Sequence, residues 1–353
     1  MTPTPSPLPA VPSPRLDREN LLMYRAPNGR ILPVRTPADW FQRRAEILAG
    51  MQAVMGPLPG PEKRVPLAVQ CEEEVDCGSY VRRLISYAAE PGARVPAYLL
   101  VPKVALSGAT RPPGVLCLMG TDNVVGYKNV VGLGGPNVKP GRNYGQELAE
   151  RGYVVIATPY PLLADYQPPL RELGYQSGTM KGIWDNIRAL DVLESLSFVA
   201  PGGFGVIGLS LGGHNSIYTA VFDERIKVVV SSCGFDSFLD YMDDSCWQPE
   251  RGWVQTRYMP RLLEYPRREI PFDFHELVGA LAPRAFLANA PLRDANFHWQ
   301  SVDRVIAAAA KVYELHGVPE RLRVEHPDCE HDFPTDSRQS AYAWLDRFLR
   351  PGS

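Results

Sequence analysis

The sequence of 353 residues predicts an α/β protein with a mostly parallel central sheet, helices on both faces and antiparallel strands at one edge. From about residue 115, short apolar runs alternate with amphipathic stretches, which is the pattern of a parallel sheet covered by helices. Ahead of that alternation, residues 67–101 hold two strand-like runs separated by the turn Glu90-Pro91-Gly92-Ala93, which indicates an antiparallel pair.

The N-terminal part of the chain differs from the rest. Residues 1–14 contain prolines at nearly every second position and predict an extended, disordered tail. Residues 15–66 are expected to form a helical extension, because Thr36 followed by Pro37 is a typical helix start and Gly56 a typical end. Residues 67–353 then form the main domain.

The main domain is expected to contain six strands of the parallel type and five helices. The strands are predicted at Val115–Met119, Val154–Ala157, Phe204–Gly208, Val228–Ser231, Ala285–Asn289 and Arg321–Glu325. The helices are predicted near 143–151, 180–196, 211–222, 301–316 and 337–349. Residues 235–275 interrupt the alternation, since they are rich in Trp, Tyr, Pro and Arg and lack periodicity. We expect this insertion above the carboxyl ends of the strands, where open α/β sheets bind ligands.

The pentapeptide Gly208-Leu209-Ser210-Leu211-Gly212 lies between a predicted strand and a predicted helix. G-x-S-x-G occurs by chance in many proteins, but at a strand-to-helix junction it is typical of a nucleophile elbow. Such a turn thrusts the serine out of the sheet, and its glycines allow strand and helix to approach closely. Ser210 is therefore the predicted nucleophile of a serine hydrolase.

A serine nucleophile needs a base and an acid that orients the base, which follow the serine in the order acid, then histidine. His331 lies in the loop between the last strand and the last helix, so it is the predicted base. Asp294 follows the preceding strand and is the predicted acid, with Asp303 as the fallback and a capping role as the structural alternative for Asp294. His214, four residues after the serine on the elbow helix, is expected to be structural.

The oxyanion hole needs two backbone N–H groups aimed at the developing negative charge. One is expected from Leu211, directly after the nucleophile, and the other from the loop after strand Val115–Met119. Thr121 is the preferred residue of that loop and Gly120 the alternative. The glycine-rich run 132–136 has no following Lys-Ser/Thr, so it predicts a flexible loop near the mouth of the site and not a phosphate cradle.

The composition excludes several functional classes. A formal net charge of −2 argues against a nucleic-acid surface and against electrostatic binding to anionic membranes. No run of about 18 apolar residues is present, and the N-terminus lacks the features of a secretory signal. The six cysteines show no C-x-x-C pair, so we expect a cytoplasmic protein with free thiols, no metal and no cofactor. Whether Cys71 and Cys77 pair across a hairpin stays open.

Four segments together resemble the dienelactone hydrolase and acetyl xylan esterase-like branch of the α/β-hydrolases, over about residues 70–350. They are Trp184–Asp191, Gly208–Asn215, Val230–Phe235 and His331–Pro334. The resemblance implies an α/β-hydrolase fold and a cofactor-free esterase whose Ser/Asp/His triad matches Ser210, Asp294 and His331. Relatives often carry His where this chain has Met119 and Leu209, and dienelactone hydrolases proper use a cysteine in place of the serine.

The sequence thus predicts a serine carboxylic-ester hydrolase that works through an acyl-enzyme on a small-molecule ester, with broad or short-to-medium acyl specificity. Its oligomeric state stays open. The alternatives are a non-catalytic binding protein on the same fold, a peptidase and a lactone hydrolase. Five aromatic residues are candidates for the pocket wall, with ordinary packing as the competing interpretation: Tyr160, Tyr166, Trp184, Phe235 and Trp299.

Overall fold

The structure is a computed structural model that describes residues 15–350, so the predicted proline-rich tail lies outside the described residues. Its strands are β1 Met23–Arg25, β2 Ile31–Pro33, β3 Gln70–Asp76, β4 Tyr80–Glu90, β5 Ala93–Pro102, β6 Gly114–Leu118, β7 Val154–Thr158, β8 Phe204–Leu209, β9 Ile226–Ser232, β10 Ala285–Asn289 and β11 Leu322–Glu325. Its α-helices are α1 Pro37–Met55, α2 Lys103–Leu106, α3 Tyr144–Glu150, α4 Gly178–Ser195, α5 Leu211–Phe222, α6 Phe274–Leu281, α7 Trp299–Leu315 and α8 Thr335–Leu349.

A nine-stranded sheet forms the centre of the molecule, in the order β11-β10-β9-β8-β6-β7-β5-β4-β3. The six strands from β6 to β11 are parallel to one another, whereas β3, β4 and β5 pair in antiparallel fashion and β5 joins them to β7. The predicted fold class, including the antiparallel strands at one edge, is confirmed.

The helices cover both faces of the sheet, and the side-chain alternation along a strand shows how. Val115 and Cys117 of β6 point into a cluster that also contains residues of α3 and α8. Leu116 and Leu118, their neighbours along the strand, belong to the opposite cluster with residues of α4 and α5. Successive side chains of a strand point to opposite faces, so β6 needs apolar residues at every position, and all five are buried.

The order of the strands reverses at β6, because β7 lies on one side of it and β8, the next strand in the chain, lies on the other. The crevice at the carboxyl ends of the strands at such a reversal is where open α/β sheets bind ligands. The loop after β6 and the turn after β8 both open into this crevice. The topology therefore brings residues 119–123 and Ser210 to one place.

The extension of residues 15–66 packs against α6 and contains more than the predicted helix. Its helix α1 begins with the expected cap, in which Thr36 and Asp39 bond reciprocally to each other's backbone N–H groups. Ahead of it lies the hairpin β1–β2, which the sequence analysis did not predict. Arg15 and Arg43 both form ion pairs with the buried Glu276 of α6, which ties the extension to the main domain.

The insertion of residues 235–275 contains four short 3₁₀ helices and then leads into α6. Its aromatic side chains pack on one another and on the elbow helix; for example, the Trp253 ring lies 4.4 Å from the His214 ring, centre to centre. None of the helices within residues 15–350 is long and apolar enough to cross a membrane.

Candidate active site

Ser210 occupies the sharp turn between β8 and α5. Its backbone angles are φ 55° and ψ −117°, a conformation that residues with side chains rarely adopt. The turn is held on both sides, because the Ser210 N–H donates to Ser232 O at 2.8 Å and the N–H of Gly213 donates to Ser210 O at 2.8 Å. Strain of this kind is a feature of the nucleophile elbow, in which it exposes the serine hydroxyl above the sheet.

The glycines around the serine are required by close contacts between backbones. A Cβ atom on Gly212 would lie 2.0 Å from Leu118 O, and one on Gly208 would lie 2.2 Å from the carbonyl carbon of Gly212. No side chain fits in such spaces. The elbow helix therefore lies directly on β6, which is the local geometry predicted from the G-x-S-x-G spacing.

His331 and Asp294 meet across the carboxyl ends of β10 and β11. The distance from His331 Nδ1 to Asp294 Oδ2 is 2.8 Å, and the Asp294 side chain is fully buried whereas that of His331 is 26% exposed. The other carboxylate oxygen, Oδ1, accepts the N–H groups of Asn296 at 2.8 Å and Phe297 at 3.2 Å. The carboxylate is thus fixed by its own loop and holds one nitrogen of the imidazole.

The cavity beside the elbow has a volume of about 620 Å³ and is lined by His331 and Gly120, among others. A Cβ atom on Gly120 would lie 3.8 Å from Ser210 Cβ, so this lining residue is a neighbour of the serine. Neither the Ser210 hydroxyl nor Nε2 of His331 makes a hydrogen bond with another group of residues 15–350, so the expected serine–histidine bond is not formed. In unliganded enzymes such bonds are often long and tighten only when substrate binds.

The two predicted oxyanion donors have backbone N–H groups without a partner within residues 15–350. Leu211 is the first residue of α5, where an N–H has no partner within the helix. Thr121 is in the loop after β6, and within residues 15–350 its N–H donates to no acceptor. Gly120, the alternative, lies beside the serine, and both Gly120 and Thr121 line the cavity.

Two other histidines are engaged elsewhere. Burial lowers the pKa of His214 to about 3, so its ring is neutral, and Nδ1 lies 3.2 Å from Gly234 O. His326 has both nitrogens occupied, Nδ1 by Ala290 O at 2.8 Å and Nε2 by Asp303 at 3.0 Å. Asp303, the fallback acid, therefore belongs to this second pair and not to His331.

Cys233 lies next to the His331–Asp294 pair, and the ligand-type atoms of the three residues are all within 4.8 Å of one another. The thiol donates to the backbone carbonyl of Asp332 at 3.0 Å, and burial raises its pKa well above the usual value. Protein contacts thus account for all three side chains. The six cysteines are free in the structure, including Cys71 and Cys77.

The cavity is also lined by residues of a 3₁₀ helix, Gly126–Val131, and of the loop that leads from it to α3. This part of the lining includes Gly134 and Pro136 of the predicted glycine-rich loop and the polar residues Asn129, Asn137, Lys139 and Arg142. Arg142 is paired with Asp332 at 2.7 Å.

The five aromatic candidates do not line this cavity. Four of them are buried in the packed core, and Trp299 lies against His326. Ordinary packing was thus the correct interpretation. Tyr258 of the insertion was not predicted from the sequence; its hydroxyl lies 3.1 Å from Thr121 Oγ1.

A family model described as "Glucuronyl esterase, fungi" matches residues 175–317 of this chain. The Bacillus subtilis protein "Putative hydrolase YtaP" is 27% identical over 214 residues, which cover 59% of this chain and 69% of that protein. The 4-O-methyl-glucuronoyl methylesterase of Phanerochaete carnosa is 25% identical over 195 residues, 47% of this chain. The matched region spans 45% of the fungal protein.

Solved structures extend the comparison to nearly the whole chain. A glucuronoyl esterase from Solibacter usitatus aligns with a TM-score of 0.74 and 18% identity, covering 94% of this chain and 98% of that one. A structure titled "putative acetyl xylan esterase" from Bacteroides fragilis aligns with a TM-score of 0.59 and 17% identity, covering 87% and 85%. At these identities the likeness establishes the fold. Together with the sequence matches, it shows that the chain has the predicted α/β-hydrolase fold, resembles acetyl xylan esterase-like and glucuronoyl esterases, and is an enzyme of the carboxylesterase type.

Proposed function

We propose that the protein hydrolyses carboxylic esters through an acyl-enzyme on Ser210, with His331 as general base and Asp294 as the acid that orients it. Leu211 and Thr121 supply the two N–H groups of the oxyanion hole. The observation that carries this assignment is a serine in a strained elbow together with a histidine held by a fully buried carboxylate. His331 lines the cavity of about 620 Å³, and so does Gly120, which lies beside the serine.

The reaction follows from what each group can do. Nε2 of His331 takes the hydroxyl proton while Ser210 Oγ attacks the ester carbonyl, and the negative charge that develops on oxygen lies between the two N–H groups. His331 then gives the proton to the departing alcohol. In the second half it takes a proton from water, which attacks the acyl-enzyme and releases the acid. Asp294 stabilises the imidazolium at both stages and stays ionised.

The proposed substrate is an ester of a uronic acid, in which the sugar forms the acyl part. The fungal relatives that match 47% of this chain are 4-O-methyl-glucuronoyl methylesterases by name. The cavity supports the same class, because its lining includes amide and cationic residues, a type of group that can bond to sugar hydroxyls. An alkyl chain would offer no hydrogen-bond partner to Asn137 and Lys139, whereas Arg142 is already paired with Asp332. Short-to-medium acyl esters, expected from the sequence, are therefore the competing substrates.

The experiment compares the two substrate classes on the same enzyme. Methyl glucuronate and its 4-O-methyl derivative are tested beside p-nitrophenyl esters of increasing acyl length. We expect kcat/KM to be at least about tenfold higher for the uronate than for a simple aliphatic methyl ester, a difference of about 1.4 kcal/mol in transition-state binding. Higher values for aliphatic methyl esters would contradict the uronate assignment and leave the esterase assignment intact.

The matched control is Ser210→Ala, which removes the nucleophile and leaves the cavity. Hydrolysis must fall by several powers of ten in this variant. A wild-type protein that binds the uronate without hydrolysing it would support the non-catalytic alternative instead.

A further inference from the structure

Two neighbouring residues of the insertion contact the loop that follows β6. The Tyr258 hydroxyl lies 3.1 Å from Thr121 Oγ1. Arg257 Nη1 donates to Asn123 Oδ1 at 2.8 Å. Thr121 carries one of the proposed oxyanion donors. The insertion therefore touches the loop that carries this proposed donor.

The Tyr258 side chain is held rigidly. It is 9% exposed, and its ring centre lies 5.9 Å from that of Tyr160, 6.0 Å from that of Trp253 and 6.1 Å from that of His214. Its backbone carbonyl accepts the N–H of Thr179 at 3.3 Å, near the start of α4. His214 belongs to the elbow helix, so Tyr258 packs against the element that carries the nucleophile and the other oxyanion donor.

Thr121, in contrast, is an exposed loop residue with no helix or strand to fix it. Its N–H must point at one small region of space, because an oxyanion donor is effective only within about 2.7–3.1 Å of the developing charge. Within residues 15–350, the Thr121 side chain makes one hydrogen bond, between its hydroxyl and the hydroxyl of Tyr258.

We infer that Tyr258 is a positioning residue, which fixes Thr121 and thereby the second oxyanion donor. The inference rests on the proposed function, since Thr121 has this task only in an acyl transfer. It assigns to the insertion a role in the chemical step. Burial raises the pKa of the Tyr258 phenol, so the hydroxyl keeps its proton throughout the neutral range.

The test is the Tyr258→Phe variant, which removes one oxygen atom and keeps the ring. We expect kcat to fall about tenfold with KM within about twofold, because the lost contact acts on the transition state. Full removal of an oxyanion donor costs on the order of 10²–10³ in kcat, and a misplaced donor less. Tyr153→Phe is the matched control, since it also removes the hydroxyl of a buried tyrosine, here bonded to Asp346 at 2.7 Å. Tyr153 precedes the amino end of β7, whereas Thr121 follows the carboxyl end of the parallel strand β6. That control should keep kcat.

A double-mutant cycle that combines Tyr258→Phe with a change at Thr121 tests the same hydrogen bond from the threonine. Thr121→Val removes the partner hydroxyl and keeps the N–H, and we expect a loss similar to that in Tyr258→Phe. The double variant should lose no more than either single variant, because both remove the same bond. Thr121→Ser should lose less than Thr121→Val. Thermal unfolding of each variant separates lost positioning from lost stability.

The outcomes separate this inference from the proposed function. An active wild type with unchanged kcat in Tyr258→Phe, or strictly additive losses in the cycle, would overturn the inference and leave the esterase assignment standing. A wild type that hydrolyses no ester would overturn both. A rise in KM with unchanged kcat would assign Tyr258 to substrate binding and contradict the positioning role.

Discussion

Replacing Asp294 by Asn exchanges one carboxylate oxygen for an NH₂ group and thereby tests how the proposed base, His331, is oriented. In the structure, Oδ1 of Asp294 accepts two backbone N–H groups and Oδ2 faces Nδ1 of His331 at 2.8 Å. In Asp294→Asn the amide oxygen must stay with the two N–H donors, so the amide NH₂ faces the imidazole. Nδ1 then has to accept a hydrogen bond, which places the ring proton on Nε2. A protonated Nε2 cannot take the proton of Ser210.

The expected loss follows from this change of tautomer. We expect kcat to fall by a factor of about 10⁴, the effect of the corresponding change in a serine-histidine-aspartate triad. That factor corresponds to about 5.4 kcal/mol in the barrier, at 1.36 kcal/mol for each power of ten. The fold should survive, because the side chain keeps its shape and its bonds to the loop. Circular dichroism and urea unfolding provide that check.

The assay compares Asp294→Asn with Asp303→Asn under saturating substrate. Asp303 is 42% exposed and bonds to His326, so its replacement should change kcat by no more than about twofold. An inactive Asp303→Asn variant together with an active Asp294→Asn variant would show that the acid has been misassigned. Full activity in both variants and in His331→Ala would refute the triad itself.

Three further predictions concern stability. Gly212→Ala should lower the free energy of unfolding, measured in urea, by more than about 4 kcal/mol, because the new methyl group would lie 2.0 Å from Leu118 O. The control Gly135→Ala, at φ +77° with open space around it, should lower it by about 1–2 kcal/mol. Equal losses in the two variants would contradict the close-contact argument. Burial lowers the pKa of His214 from 6.5 to about 3. Its contribution to the free energy of unfolding is therefore complete above pH 6.5 and is lost as the pH falls toward 3. Melting temperatures of His214→Phe should fall less steeply over that interval, and an unchanged slope would argue against a buried neutral ring. Glu276→Gln should lower the free energy of unfolding by about 3–5 kcal/mol, since it leaves Arg15 and Arg43 without their carboxylate partner. A loss below about 1 kcal/mol would show that the extension is held by apolar packing alone.

The order of elements in the main domain was predictable because its signals are local. The apolar run of β8, the small residues of the elbow and the start of α5 follow one another in the sequence. The choice of Asp294 and His331 used chain order and the rule that parallel strands end at one edge of the sheet. The structure brings these two side chains within hydrogen-bonding distance.

Contacts between distant, aperiodic segments were not predictable. Tyr258 and Thr121 are 137 residues apart, and no pattern in the insertion distinguishes Tyr258 from its aromatic neighbours. The hairpin β1–β2 is only three residues long on each side, too short for an alternation of apolar and polar residues to appear. The aromatic candidates for the pocket wall failed for a related reason, since large rings are as common in cores as in pockets.

The central claim is that Ser210 becomes covalently acylated, and an active-site label tests it most directly. The protein is treated with a fluorophosphonate, and the modified peptide is identified by mass spectrometry beside the same digest of Ser210→Ala. We expect one adduct per chain, on Ser210, with complete loss of ester hydrolysis and no adduct in the variant. An adduct on another serine, or an active protein that remains unlabelled, would contradict the account.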